Sequence, residues 1–174
     1  MTKKLTFPSK STFSTTLKYR VDEYFAETGK NKHANTAMWT KAIVFLLGFF
    51  SCYLFIISGF LPISVMLGLA ILLGMFSAFV GFNICHDAIH GSFSSNKHIN
   101  KTLGMLFNLL GASPYIWNIS HNRVHHTFTN ISGHDEDLVI APGLIRIEED
   151  APKRKIQRYQ HWYAFPLYSL ASLS

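Results

Sequence analysis

The sequence is short of the residues that build covalent and soluble scaffolds. Only two cysteines occur in 174 residues, Cys52 and Cys85. Both sit inside apolar runs, so neither a disulfide framework nor a zinc ribbon is supported. There is no His-Glu-x-x-His, which removes the metalloprotease pairing of zinc with a general-base glutamate. The N-terminal Met1-Thr2-Lys3-Lys4 lacks the apolar core of a signal peptide. The net charge is +6, but the basic residues form no stripe interleaved with exposed aromatics, so no nucleic-acid partner is expected. Repeats and low-complexity segments are absent.

Charge is also missing from one long stretch. From Ala42 to Cys85 no charged side chain occurs. As one helix this run would extend roughly 66 Å, about twice the hydrocarbon thickness of a bilayer. It must fold back, and Ser58-Gly59-Phe60-Leu61-Pro62 is the natural break, since Gly and Pro punctuate helices. The run therefore predicts two transmembrane helices, about 40–58 and 62–85, joined by a turn too short for an external domain. The whole-chain composition agrees. A hydrophobic share of 48% with a mean hydropathy of only +0.17 fits a chain divided between lipid and water. Eight basic residues precede the hairpin, eight more lie within 97–158, and none is in the turn. By the positive-inside rule both flanks face the cytoplasm.

The predicted organisation is all-α and integral to the membrane. Residues 1–41 form a cytoplasmic arm with a short amphipathic helix around Leu17, Val21, Tyr24 and Phe25. Residues 42–85 form the hairpin. Residues 86–158 form a cytoplasmic, helical, metal-binding region, in which 98–120 lies along the membrane surface as a helix. Residues 159–174 open a third span behind an interfacial belt of Trp162, Tyr163 and Phe165. The run stops short of the roughly 20 residues a span needs, so the chain is expected to be a truncated, inactive part of a longer reading frame.

Histidine is abundant. Six of the nine histidines fall between positions 86 and 126. In His86-Asp87-Ala88-Ile89-His90 the two imidazoles share an α-helical face one turn apart. In His121-Asn122-Arg123-Val124-His125-His126 the pair His121 and His125 repeats that spacing, and His126 adds a ring rotated by about 100°. Five imidazoles so placed, His86, His90, His121, His125 and His126, read as ligands for Fe, Zn, Cu or Ni. Asp87 and Asn122 are placed to hold ligand orientation. His33, His98 and His161 read as ordinary surface histidines, and His134 as part of a solvated loop. The acids Asp135, Glu136, Asp137, Glu148, Glu149 and Asp150 read as a solvated face, with docking of an electron donor as the alternative. Tyr115 and Trp117 are either substrate-channel residues or interfacial anchors.

The segments His86-Asp87-Ala88-Ile89-His90-Gly91-Ser92-Phe93 and His121-Asn122-Arg123-Val124-His125-His126-Thr127-Phe128-Thr129-Asn130 resemble the first and second histidine boxes of the membrane fatty acid desaturases. The second is similar to the acyl-lipid, linoleoyl-CoA or front-end type. The resemblance covers about residues 40–174. It implies a non-haem di-iron centre held by the five histidines and an O2-dependent desaturation of a CoA- or lipid-linked fatty acyl chain. It also implies a third histidine box, which does not occur in these residues. No His-Pro-Gly-Gly haem motif is present, so a separate donor, cytochrome b5 or ferredoxin with its reductase, is expected to bring electrons. The alternatives are a di-iron hydroxylase or ketolase of the same superfamily, and a non-enzymatic membrane protein binding metal or haem.

Overall fold

A computed structural model describes residues 5, 11–135, 138, 141, 143–149 and 151–168. Among these the regular elements are helical, with no strand. The chain packs as two compact units, residues 1–106 and 107–174.

The first unit opens with α1 (Thr12–Thr28). Ser11 caps it by accepting from the Ser14 N–H, and Gly29 ends it at φ +61. The hairpin follows as α2 (Thr36–Ile57) and α3 (Ile63–Val80). Asn35 caps α2 by accepting from the Met38 N–H, and the break between the helices contains Gly59 at φ +70 and Pro62. The two helices pack through aromatic rings set against small residues. Phe45 stacks on Phe79 with centroids 4.8 Å apart, and Phe76 meets Phe79 edge-on. The ring of Phe76 lies where a side chain on Gly48 would start, within 2.3 Å of an added Cβ. Glycine is required there for the close approach of the helices.

Helical winding continues past Val80 through a π-helical turn, Gly81–Cys85, into α4 (His86–Ile89). Thr36–Ile57 and Ile63–Ile89 are both long and apolar enough to cross a bilayer. Only 11% and 6% of their most apolar windows are buried inside the chain. The core helix of a water-soluble domain would be mostly covered by its own protein.

Beyond Gly91 (φ +72) a turn leads to α5 (Lys97–Gly104). Asn100, 8% exposed, pins this turn by accepting from the Ser94 N–H at 2.8 Å and donating to the Ser94 carbonyl at 2.7 Å. The start of α2 docks on the same region. The Ala34 N–H donates to the Phe93 carbonyl at 3.0 Å, and Trp39 meets the buried ring of Phe93 edge-on at 4.9 Å. The expected single helix over 98–120 is not formed. The chain runs through α5, a 3-10 stretch Met105–Leu110 and a short α6 (Pro114–Trp117). The cause is local: Gly111 adopts φ +79, and Ser113 with Pro114 starts a new helix instead of continuing the old one.

In the second unit α6 passes directly into a π-helix, Asn118–His125, and then α7 (His126–Phe128). After a loop, a 3-10 turn Lys155–Tyr159 leads into α8 (Gln160–Tyr168), which contains Pro166. Residues 169–174, the remainder of the expected third span, lie outside the described residues.

Candidate metal centre

Both histidine groups lie on or beside π-helical turns. Such turns are rare and recur at functional sites. In the first unit the turn Gly81–Cys85 delivers His86 at the start of α4, and Gly91 ends that helix one residue after His90. The imidazoles of His86 and His90 face each other, centroids 4.5 Å apart, with their Nε2 atoms at 3.2 Å. Two nitrogens bound at about 2.1 Å to one ion, at a right angle, lie about 3 Å apart. The pair therefore has the separation of two neighbouring ligands. Asp87 Oδ1 lies 3.3 Å from Nδ1 of His86, the ring nitrogen opposite the converging one.

In the second unit the π-helix changes the arithmetic. With α-helical winding, His126 would stand about 140° from His121 around the axis. A π-helix bonds residue i to i+5 and advances by only about 80° per residue, so positions i+4 and i+5 fall about 40° to either side of i. His125 and His126 thus flank His121 almost symmetrically. The centroid distances are 4.9 Å for His121–His125 and 4.9 Å for His121–His126, with 5.4 Å between His125 and His126. The expectation of one shared α-helical face with a third ring rotated off it is corrected: three rings form one cluster.

A second correction concerns Asp135, read from the sequence as part of a solvated acidic face. The residue is 2% exposed and its side chain fully enclosed. Nδ1–H of His125 donates to both carboxylate oxygens, at 2.9 and 3.1 Å, and the Asn130 N–H donates to Oδ2 at 2.7 Å. Turns put it there. The Ile131 N–H donates to the Phe128 carbonyl, and the Asp135 N–H donates to the Ile131 carbonyl, folding the chain back onto the π-helix. Asn130 takes the left-handed φ of +61 that asparagine tolerates better than most residues. With Nδ1 protonated toward the carboxylate, Nε2 of His125 carries the lone pair a metal requires. Of the other acids, Glu148 and Glu149 are exposed, and Glu148 accepts from the Ser132 hydroxyl. Glu136, Asp137 and Asp150 lie outside the described residues.

The remaining expected site residues are placed as follows. Asn122 is half-buried with its carbonyl oxygen sealed from solvent. Trp117 stacks on Phe107 at 4.9 Å and tilts against His121 at 5.2 Å, so it packs on a candidate ligand, whereas Tyr115 is 72% exposed. His134 is half-buried against Phe128 instead of lying in open solvent. His33 Nδ1 lies 3.1 Å from the Ser92 carbonyl, which ties the arm to the first histidine group. Each group's donor set, neutral imidazole with a carboxylate behind it, suits a divalent transition metal.

The sequence profile of the fatty acid desaturase family matches residues 62–174. The chain is 38% identical to the sn-1 linoleoyl-lipid 6-desaturase of Synechocystis sp. over 168 residues, 95% of this chain and 46% of that protein. It is 34% identical to the sn-1 linoleoyl-lipid 6-desaturase of Arthrospira platensis, over 96% of this chain and 45% of that one. It is 32% identical to the acyl-lipid (8-3)-desaturase of Physcomitrium patens, over 92% of this chain and 34% of that one. The chain spans less than half the length of these curated relatives. No solved structure matches.

Proposed function

We propose, for a chain that belongs to the fatty acid desaturase family, that it supplies two histidine groups of a non-haem di-iron acyl-lipid desaturase. Lipid-linked acyl chains are named for the relatives from Synechocystis and Physcomitrium, and the same substrate class is inferred here. The reaction takes one hydrogen from each of two neighbouring carbons, leaves a double bond, and reduces O2 to water with two electrons from a separate donor. Iron, when bound, supplies the oxidising power that no side chain has for an unactivated methylene.

The chain's own part is to hold and orient. The ligands are His86, His90, His121, His125 and His126. Asp87 stands behind His86, Asp135 fixes His125, and Trp117 packs on His121. The two spans form a hairpin that keeps the first histidine group at the membrane surface, where a buried acyl chain can reach it. By its charge distribution the hairpin places the arm and residues 86–158 on the cytoplasmic side. The observation that carries this reading is the convergence of imidazoles within each group, 3.2 Å between nitrogens in the first and a three-ring cluster in the second.

The test is expression of the complete reading frame in a host lacking the activity, followed by fatty acid analysis that locates any new double bond. A desaturated product without retained oxygen supports the reading. A hydroxylated or ketonic product overturns it in favour of the oxygenating relatives of the superfamily.

A further inference from the structure

A cavity of about 500 Å³ opens between the start of α2 and the first histidine group, within the first unit. Lys32, His33, Asn35 and Lys41 line one side, Asp87 and Ser92 the other, and the buried ring of Phe93 forms part of its wall. The enclosing segments are fixed to each other. The Ala34 N–H donates to the Phe93 carbonyl at 3.0 Å, and His33 Nδ1 lies 3.1 Å from the Ser92 carbonyl.

Its charge is set by a few groups. Lys32 is paired with Asp22 at 2.5 Å, outside the cavity lining. Lys41 is half-buried and donates to Asn83 Oδ1 at 2.9 Å. Asn83 is a neutral acceptor, so the ammonium charge of Lys41 is not cancelled there and the group retains two further N–H donors. The 22-residue α2 begins at the cavity, and its N-terminal dipole adds positive potential. The opposing acid is Asp87, already engaged at 3.3 Å with Nδ1 of His86.

Location narrows the ligand. The cavity lies where both apolar helices end, the depth at which lipid phosphates and esters sit. Asp87 lines it and also touches His86, so a molecule whose polar end occupied the cavity would have its tail beside the first histidine group. A free anion would use the charge but have no reason for that placement. We propose that this cavity holds the phosphate-bearing headgroup of the glycerolipid whose acyl chain is desaturated. The inference rests on the desaturase reading above, and deepens it by assigning a place to the substrate's polar end.

The experiment uses protein from the complete reading frame carrying His121→Ala, so that labelling is read without turnover. It is reconstituted with phosphatidylglycerol bearing a photoreactive group in its head, or with a galactolipid bearing the same group. Labelled peptides are then mapped. Phosphatidylglycerol labels fall within residues 32–41 and 87–93. Lys41→Gln and, independently, Ala37→Trp, which fills the cavity without removing a hydrogen bond, each lower the yield about tenfold. Labelling that persists in both variants overturns the proposal. So does equal labelling by the galactolipid, or loss of labelling to millimolar inorganic phosphate. Headgroup labelling in the cavity with no desaturated product from the unsubstituted protein would leave the site standing and remove the enzymatic reading.

Discussion

Replacing Asp135 separates orientation of a ligand from folding of the segment around it. In Asp135→Ala, Nδ1–H of His125 and the N–H of Asn130 both lose an acceptor in a place closed to water. Breaking a buried charged contact of this kind costs about 3–5 kcal/mol. That variant is expected to unfold locally and to lose metal for that reason alone. Asp135→Asn keeps the shape. Its single amide oxygen can serve only one of the two donors, while its NH2 group faces the other. The fold should survive at a cost of about 1–3 kcal/mol. His125 then loses its enforced tautomer, and iron affinity should fall about 10- to 100-fold, the usual penalty for removing a ligand's hydrogen-bond partner. The assay is competition of the purified protein against a chromophoric Fe(II) chelator, with 15N shifts of the His125 ring read in the metal-free state. Glu149→Gln, at an exposed acid of the same region, serves as the control and should bind like wild type. Wild-type iron affinity in Asp135→Asn, with Nδ1–H retained on His125, would refute the reasoning.

Other outcomes follow from the same geometry. Single cysteines at positions 33, 60 and 134, in a background with Cys52 and Cys85 removed, should label from the cytoplasmic, external and cytoplasmic sides respectively; external access at 33 or 134 contradicts the hairpin orientation. Gly48→Leu drives a side chain into the Phe76 ring and should cost about 1–3 kcal/mol, seen as a lower thermal midpoint in detergent. Gly68→Leu, with nothing within 4 Å of an added Cβ, should not show that loss, and equal midpoints for the two would argue against the helix contact. Alanine at each of His86, His90, His121, His125 and His126 should abolish product from the complete reading frame, whereas exposed His98→Ala should retain it. Activity surviving in two or more of the five would contradict the ligand assignment.

The helices of the hairpin were readable because their cause is local: an uncharged run too long for one crossing, interrupted by Gly59 and Pro62. The five histidines were equally visible, since their types and spacing announce metal chemistry whatever the fold. Their winding was not. A π-turn differs from an α-turn by one hydrogen-bond register, and no residue type marks it, so His126 was assigned to the wrong angle. Asp135 was missed for another reason. Within Gly133-His134-Asp135-Glu136-Asp137 its composition is that of a solvated loop, and its burial depends on turns that fold 128–135 back onto the π-helix. The helix expected over 98–120 failed at Gly111 and Pro114, where the signals were present but outweighed in the reading by overall apolarity. The cavity beneath α2 brings together residues some fifty positions apart, beyond the reach of any local pattern.

The two histidine groups holding iron is the central claim, and an iron K-edge absorption spectrum of the protein from its complete reading frame tests it most directly. Imidazole multiple scattering should dominate the spectrum, and its amplitude should fall in both His86→Ala and His125→Ala, one substitution in each group. Iron bound with the same imidazole contribution in both variants, or a spectrum of haem iron, would contradict it.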